Sequence, residues 1–104
     1  MSIKVYLTNK KRSYDAKGTY NEKTFVVKKG SRIQLEFAKH IIGGHKAKSY
    51  REDPKYVDID GNVLKDCVFG SSSTAAQFVT GRSANGFIAW RVDKKTNLKR
   101  FLGK

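Results

Sequence analysis

The side chains best suited to recognising a partner lie in the loop from Arg82 to Gly86. Arg82 can make a bidentate contact with a phosphate or a guanine edge, Asn85 can do the same with an adenine edge, and Ser83 can hold a phosphate. Gly81 and Gly86 permit close approach of the backbone. This loop is therefore predicted to contact nucleic acid. The alternative is that Arg82 and Asn85 only join a helix end to the next strand, with Asn85-Gly86 as a turn.

Catalytic chemistry has no comparable support in the sequence. His40, His45 and Cys67 lack the spacing of a zinc site, and a lone cysteine in a strand pattern is typical of a small core residue. The lysine of a phosphate-binding loop is absent after Gly86. A carboxylate cluster formed by the aspartates between 58 and 66 is better explained as turn chemistry around Asp60-Gly61-Asn62. We expect no enzyme activity, no cofactor and no metal.

Charge is the strongest signal, because 22 Lys and Arg residues against 9 Asp and Glu give a formal net charge of +13. Such an excess repels itself in a folded protein, so a polyanionic partner is the expected explanation. DNA is preferred, while RNA, an acidic lipid surface and simple solubility remain alternatives. The residues predicted to contact phosphates are Lys10, Lys11, Arg12, Lys28, Lys29, Arg32, Lys46 and Lys48.

Hydropathy patterns in the first half of the chain predict strands and a helix. Alternation indicates a strand from Ile3 to Leu7, a basic loop follows from Asn9 to Asn21, and Lys29-Gly30-Ser31 separates two strands of a hairpin. Those two strands run over Thr24 to Lys28 and Arg32 to Phe37. A short helix is predicted between Ala38 and Pro54.

The second half begins with a hairpin predicted over residues 56 to 69. A helix follows, with Ser71 as its N-cap and Gly81 as its left-handed C-cap. Phe87 to Val92 reads as a strand with Trp90 in the core, and Leu98, Phe101 and Leu102 are expected to seal the core edge. Phe87 is expected to stack on a base, cap the loop or lie beneath the helix. The tyrosines at positions 6, 14, 20, 50 and 56 are interleaved with lysines and could add base stacking, and the alternative for each is a half-buried surface residue.

These elements predict one α+β domain over residues 1–104, with a small antiparallel sheet and one or two short helices packed on it. No apolar run reaches the roughly 20 residues that cross a bilayer, and no cleavable leader pattern is seen at the start. The single cysteine fits a reducing compartment. We expect a cytoplasmic protein that is neither secreted nor bound in a membrane.

The run from Phe69 to Val92, FGSSSTAAQFVTGRSANGFIAWRV, resembles domain-of-unknown-function family 4357, found in bacteria and phages and often attached behind GIY-YIG endonuclease domains. It is similar also to the RAMA domain, associated with restriction enzymes and adenine methylases, through its serine-rich helix start and Gly-Arg-Ser-x-Asn-Gly loop. The run Phe25 to Ser31 matches an earlier strand and turn of the first family, so the resemblance covers about residues 17–102. Ser72 and Phe87 stand where relatives often have proline and tryptophan.

What this resemblance implies is an association with restriction, anti-restriction or phage DNA processing, with DNA that includes modified bases as a plausible ligand. The chain lacks the catalytic residues of the nuclease partner, so we expect a non-catalytic nucleic-acid-binding module. The alternative is an inhibitor or adaptor that binds a host defence enzyme. Basic residues clustered around Arg82 would favour the first hypothesis, and a basic surface remote from Arg82 would favour the second.

Overall fold

The computed structural model describes residues 2–11, 13–22, 24–36 and 45–103. Within these ranges, one antiparallel sheet has the strand order β1-β2-β3-β4. Its strands are β1 (Ile3–Thr8), β2 (Asp15–Tyr20), β3 (Phe25–Val27) and β4 (Cys67–Phe69). The helices are α1 (His45–Glu52), α2 (Ser72–Thr80), α3 (Gly86–Ala89) and α4 (Leu98–Leu102). The predicted α+β class is confirmed, with more short helices than expected.

One face of the sheet forms the hydrophobic core. Alternate residues of all four strands point to this side, and α2 packs over them with Phe78 fully buried. Trp90 is also fully buried, with its ring 4.6 Å from that of Phe25 and its indole nitrogen donating to the Ser72 carbonyl at 3.1 Å. The predicted core positions of Trp90 and Cys67 are therefore confirmed.

Both predicted ends of α2 are confirmed. The Ser71 side chain accepts a hydrogen bond from the Thr74 backbone N–H at 3.1 Å, which satisfies one of the unpaired donors of the first turn. Gly81 adopts a left-handed conformation with φ of 74°, and its N–H donates to the Gln77 carbonyl. This helix is consequently held at both ends by local sequence.

The prediction of a basic loop from Asn9 to Asn21 is wrong for its second half, which is β2. This strand pairs with β1 and with β3, and Ala16 and Gly18 are buried. Gly18 weakens the strand pattern in the sequence but is needed in the structure, because a Cβ atom there would lie 2.9 Å from the Phe25 ring. The missing side chain makes room for an aromatic core residue.

The predicted strand from Arg32 to Phe37, and with it the first hairpin, is wrong for the described residues. Arg32 forms only isolated bridges, to Asp15 and to Asn62. The chain then leaves the sheet, since the Gln34 N–H donates to the Val79 carbonyl at 2.8 Å near the end of α2. Phe37 lies outside the described residues.

The predicted helix before Pro54 is confirmed over His45–Glu52, and residues 38–44 of that prediction lie outside the described residues. The second hairpin is confirmed only as a turn with a Val57 to Val63 bridge. Val57 is buried, whereas Ile59 in the turn is 92% exposed. The Asp58 carboxylate stabilises this turn by accepting hydrogen bonds from the backbone N–H groups of Asp60 and Asn62.

The strand predicted from Phe87 to Val92 is wrong, because Asn85 starts the short helix α3 there. Its side chain accepts from the Phe87 N–H at 3.1 Å. Ile88 consequently faces solvent, while Trp90 just beyond the helix enters the core. In the tail, Leu98 is buried and Leu102 half-buried as expected, but Phe101 is exposed.

Candidate nucleic-acid interface

The loop from Arg82 to Gly86 runs back along α2. Gly81 ends that helix, whereas the Gly86 N–H donates to the Ser73 hydroxyl at 3.0 Å in its first turn. A Cβ atom on Gly86 would collide with the Ser72 backbone, so the two segments touch. A helix of this length spans roughly 13 Å, and the connecting residues must be nearly extended to cover it. Arg82 and Asn85 therefore lie near opposite ends of α2.

The structure gives the three predicted loop residues different surroundings. Asn85 caps α3, in agreement with the alternative that it joins a helix to its neighbour. Arg82 is exposed, and its backbone N–H donates to the Thr80 hydroxyl at 3.2 Å. Its guanidinium forms no hydrogen bond or ion pair with any described residue. Ser83 is exposed as well. Contacts of these residues with nucleic acid remain a prediction.

A small cavity of about 170 Å³ opens at the start of α2. Two of its serine hydroxyls already accept hydrogen bonds, Ser71 from the Thr74 N–H and Ser73 from the Gly86 N–H. Phe87 is half-buried at its wall, with its ring edge-on to Tyr20 at 6.0 Å. Phe87 thus packs inside the fold rather than offering a free face. The lining residues are Tyr20, Asn21, Glu22, Thr24, Phe25, Gly70, Ser71, Ser72, Ser73 and Phe87.

On the face of the sheet opposite α2, which we call the open face, most of the described side chains are exposed, and they include a row of basic side chains with one tyrosine. Tyr6 pairs directly with Lys17 on β2, and on its other side it forms an antiparallel bridge with Arg91. Residues that face each other across strands project from the same side of the sheet. Lys28 extends the row, because its N–H donates to the Lys17 carbonyl at 2.9 Å. We call Arg91, Tyr6, Lys17 and Lys28 the basic row.

Neighbouring positions on the open face are mixed in character. One flanking line pairs Lys4 with Thr19, Thr19 with Val26 and Val26 with Val68, of which Val68 is 44% exposed. Asp15 pairs with Arg32 on the other side of the basic row. The open face thus combines cations and some apolar surface with two carboxylates. The cations are Lys4, Lys17, Lys28, Arg32 and Arg91, and the carboxylates are Asp15 and Asp66.

The Asp66 carboxylate is held in place by Lys28 of the basic row and by the backbone of the next residue. Its carboxylate lies 2.8 Å from the Lys28 ammonium and accepts from the Lys29 backbone N–H at 2.9 Å. The hydrogen bond from Lys28, followed by that from Lys29, lowers the pKa of the Asp66 carboxyl below its ordinary value. One of the five cations is therefore partly neutralised.

The predicted phosphate contacts fall into two groups. Lys28 and Arg32 lie on the open face, and the exposed Lys29 follows Lys28. Lys10 and Lys11 lie in the connection between β1 and β2, at the border of the open face. By contrast, Lys46 and Lys48 belong to α1. These two groups lie on different elements of the fold, and Arg82 follows the end of a third element, α2. Arg12 lies outside the described residues.

The helix α1 belongs to the layer on the buried side of the sheet, because Tyr50 contacts the rings of Phe69 and Phe78. Lys46 lies over the Tyr50 ring at 5.3 Å, and Lys48 is 3.8 Å from Glu52. Both lysines therefore have partners within α1, and this helix carries none of the residues of the basic row. Their position makes them suitable controls for it.

Sequence reasoning did not include Lys4, Lys17 and Arg91 among the candidate contacts and considered Tyr6 only generally. The signal for the first strand was present, because the alternation that buries Val5 also sends Lys4 and Tyr6 to the opposite face. Lys17 was assigned to a loop and Arg91 to an incorrect strand. Lys17 and Arg91 lie beside Tyr6 because their segments pair with β1. The hydropathy pattern of a segment does not predict which other segment it pairs with.

Arg51 interacts with the fold itself and does not belong to the exposed basic surface. Its Nε donates to the Phe78 carbonyl at 2.9 Å, near the end of α2 where a positive charge interacts favourably with the helix dipole. Burial lowers its pKa to about 10, so the side chain is still protonated at neutral pH. Arg51 was not predicted from the sequence, since nothing in the local pattern marks an arginine that is partly buried.

Other chemistries were tested among the described residues. No group of three or more His, Cys, Asp or Glu side chains in these ranges could hold a metal ion, and His40 lies outside them. Burial, with a smaller effect of the Asp66 charge, raises the pKa of the Cys67 thiol to about 12. Of the helices described, none has the length and apolar character required to cross a membrane.

Comparison with known proteins gives one match. Searches of curated proteins and of solved structures find no similar protein. The family model described as "Domain of unknown function (DUF4357)" matches residues 5–102, which include both the helix with its glycine loop and the strands of the open face. Since this match covers nearly the whole chain, the protein belongs to the DUF4357 family.

Proposed function

We propose that this protein is a non-catalytic nucleic-acid-binding module that holds its partner on the open face of its sheet. The observation that carries the proposal is the basic row, in which Arg91 and Lys17 flank the exposed Tyr6 and Lys28 lies beyond Lys17. The net charge of +13 gives this surface a long-range attraction for polyanions. DNA is the preferred partner and RNA the alternative. A place in restriction, anti-restriction or phage DNA processing is suggested by the sequence resemblance alone.

Electrostatics predicts how such binding behaves. A lysine or arginine that neutralises a phosphate releases counterions, so affinity falls steeply as salt rises. Four contacts would weaken binding on the order of 100-fold between 50 and 200 mM salt. Four exposed cations of the open face supply this number without Lys28, which already pairs with Asp66: Lys4, Lys17, Arg32 and Arg91.

A second candidate is an adaptor or inhibitor that binds an acidic protein surface. It is favoured by the position of the basic row, which lies on the strands and at Arg91 rather than in the Arg82 loop, and by Val26 and Val68 on the same face. The first proposal is preferred because the exposed ring of Tyr6 lies between two cations. Aromatic rings next to basic side chains suit a partner that carries both bases and phosphates.

Fluorescence anisotropy distinguishes these candidates. We expect salt-dependent binding of labelled DNA or RNA by the wild type, and a loss of at least tenfold in affinity for the Lys17→Ala/Arg91→Ala double variant. The Lys46→Ala/Lys48→Ala variant removes the same charge from α1 and should lose much less. Equal losses in both variants would contradict a defined surface. Absence of binding at 50 mM salt would overturn the proposal in favour of a protein partner.

A further inference from the structure

We infer that the open face binds single-stranded nucleic acid, with the Tyr6 ring stacked on an unpaired base. This inference rests on the proposed function and specifies the form of the partner. It begins with the exposure of Tyr6, whose side chain is 43% accessible although it stands in the middle of a strand. Neither its ring nor its hydroxyl interacts with another side chain among the described residues. Tyr6 therefore presents an unused aromatic face.

The other tyrosines differ in this respect. Tyr50 packs against Tyr56 with ring centroids 4.9 Å apart, and Tyr20 packs against Phe25 at 6.3 Å. Tyr14 is half-buried against the core. Since these residues are engaged in the fold, Tyr6 is the tyrosine of the described chain that is best placed to receive a base.

Cations on both sides match the chemistry of a nucleotide. Lys17 and Arg91 face Tyr6 from the neighbouring positions, and strands in a sheet lie about 4.8 Å apart. The basic row from Arg91 to Lys28 therefore extends roughly 14 Å across the sheet. A base stacked on Tyr6 would have its flanking phosphates within reach of long basic side chains on either side. The surface thus offers both a stacking platform and charge complementarity.

The shape of this surface favours unpaired bases. In a duplex the faces of the bases are stacked on one another, so an exposed ring on a sheet cannot reach them. Single strands expose the same faces and are bound by aromatic side chains within positive grooves. Tyr6 therefore contributes to affinity only when the nucleic acid is single-stranded. A difference between the two forms of nucleic acid is therefore the distinguishing property.

The test measures anisotropy with a labelled 12-nucleotide DNA strand, an abasic strand of the same length, its duplex and the equivalent RNA strand. We expect the wild type to bind the single strands more tightly than the duplex or the abasic strand. Tyr6→Ala should lose on the order of tenfold in affinity for single strands with an unchanged salt slope. Tyr6→Phe keeps the ring and should stay within about twofold. Phe101→Ala removes another exposed aromatic, on α4, and is the matched control.

The outcomes separate this inference from the proposed function. Equal binding of duplex, abasic and single strands, with no effect of Tyr6→Ala, would overturn the inference and leave the proposed function standing. No binding to any strand would overturn both. Emission from Trp90, which is fully buried, reports whether each variant is folded. If Tyr6→Ala does not fold, Tyr6→Leu carries the test, and the abasic strand tests stacking on the wild type.

Discussion

Tyr6 and Arg91 exchange two backbone hydrogen bonds, from Tyr6 N to Arg91 O at 2.8 Å and from Arg91 N to Tyr6 O at 2.9 Å. These bonds add a short fifth segment to the free edge of β1 and bring the two side chains to the same face. Among the described residues, the guanidinium makes only a long hydrogen bond of 3.5 Å, to the Lys94 carbonyl. Backbone atoms therefore hold Arg91 in position, and its charge is available to a ligand.

The Arg91→Ala variant distinguishes a contribution of the Arg91 charge to binding from a contribution to the stability of the fold. Because the bridge uses backbone atoms, we expect the free energy of unfolding to change by no more than about 0.5 kcal/mol. The slope of log affinity against log salt for DNA should fall by about 0.7 to 0.9 if one phosphate contact is lost. Urea denaturation and a salt series measure the two quantities. A large loss of stability, or an unchanged slope, would contradict the assigned position of Arg91.

Gly86→Ala tests the contact between the glycine loop and α2. The added Cβ would collide with the Ser72 backbone, which cannot move without disturbing the first turn of the helix. We expect a loss of about 3 kcal/mol in the free energy of unfolding, measured in urea. Gly70→Ala is the matched control, because a Cβ there meets no atom within 4 Å. Similar stability of the two variants would show that the loop lies elsewhere.

Cys67 should be unreactive in the folded protein. Its thiol is buried and has a pKa raised to about 12, so the reactive thiolate is scarce at pH 8. We expect a disulfide reagent such as Ellman's reagent to modify it slowly in buffer and rapidly in denaturant. The native rate should follow local or global opening of the fold. Complete modification of the native protein within seconds would contradict the buried position.

Asp66 should make stability depend on acid pH. Its folded pKa is lowered by Lys28 and then Lys29, so its contribution is fully present above the ordinary pKa of 3.8 and is lost as pH falls below that value. Because the pair is exposed, the contribution should not exceed about 1 kcal/mol. The difference between wild type and Asp66→Asn should therefore shrink below pH 3.8 in urea titrations. A difference between wild type and Asp66→Asn that stays constant across this pH range would contradict the pairing.

Much of the fold was predictable because local sequence determines it. The caps of α2 use Ser71 and Gly81, whose side chain and backbone freedom satisfy the helix ends by themselves. Alternation in β1 likewise reflects one buried face. Asn85 shows the limit of such reasoning, since an Asn-Gly pair is compatible with a turn and with a helix cap. Packing of Gly86 against α2 selects the cap, and that contact joins residues 13 positions apart.

The candidate surface was less predictable, because it too depends on contacts between residues that are far apart in the sequence. Lys28 and Arg32 were predicted as contacts because of their charge, yet the open face on which they lie is created by pairing among β1, β2 and β3. Nothing local to residue 91 indicates that it lies next to Tyr6. The conspicuous Arg82 loop, in contrast, is explained largely by its packing on α2 and its capping of α3.

The most direct test of the central claim is a two-dimensional ¹H–¹⁵N NMR titration of the folded protein with a short single-stranded DNA. We expect salt-sensitive shift changes at amides of β1, β2 and Arg91, with little change in α1 or at residues 82–85. Changes confined to residues 82–85 and α1 would contradict the open face as the binding surface and return the Arg82 loop to that role. A spectrum unchanged at low salt would contradict nucleic-acid binding itself.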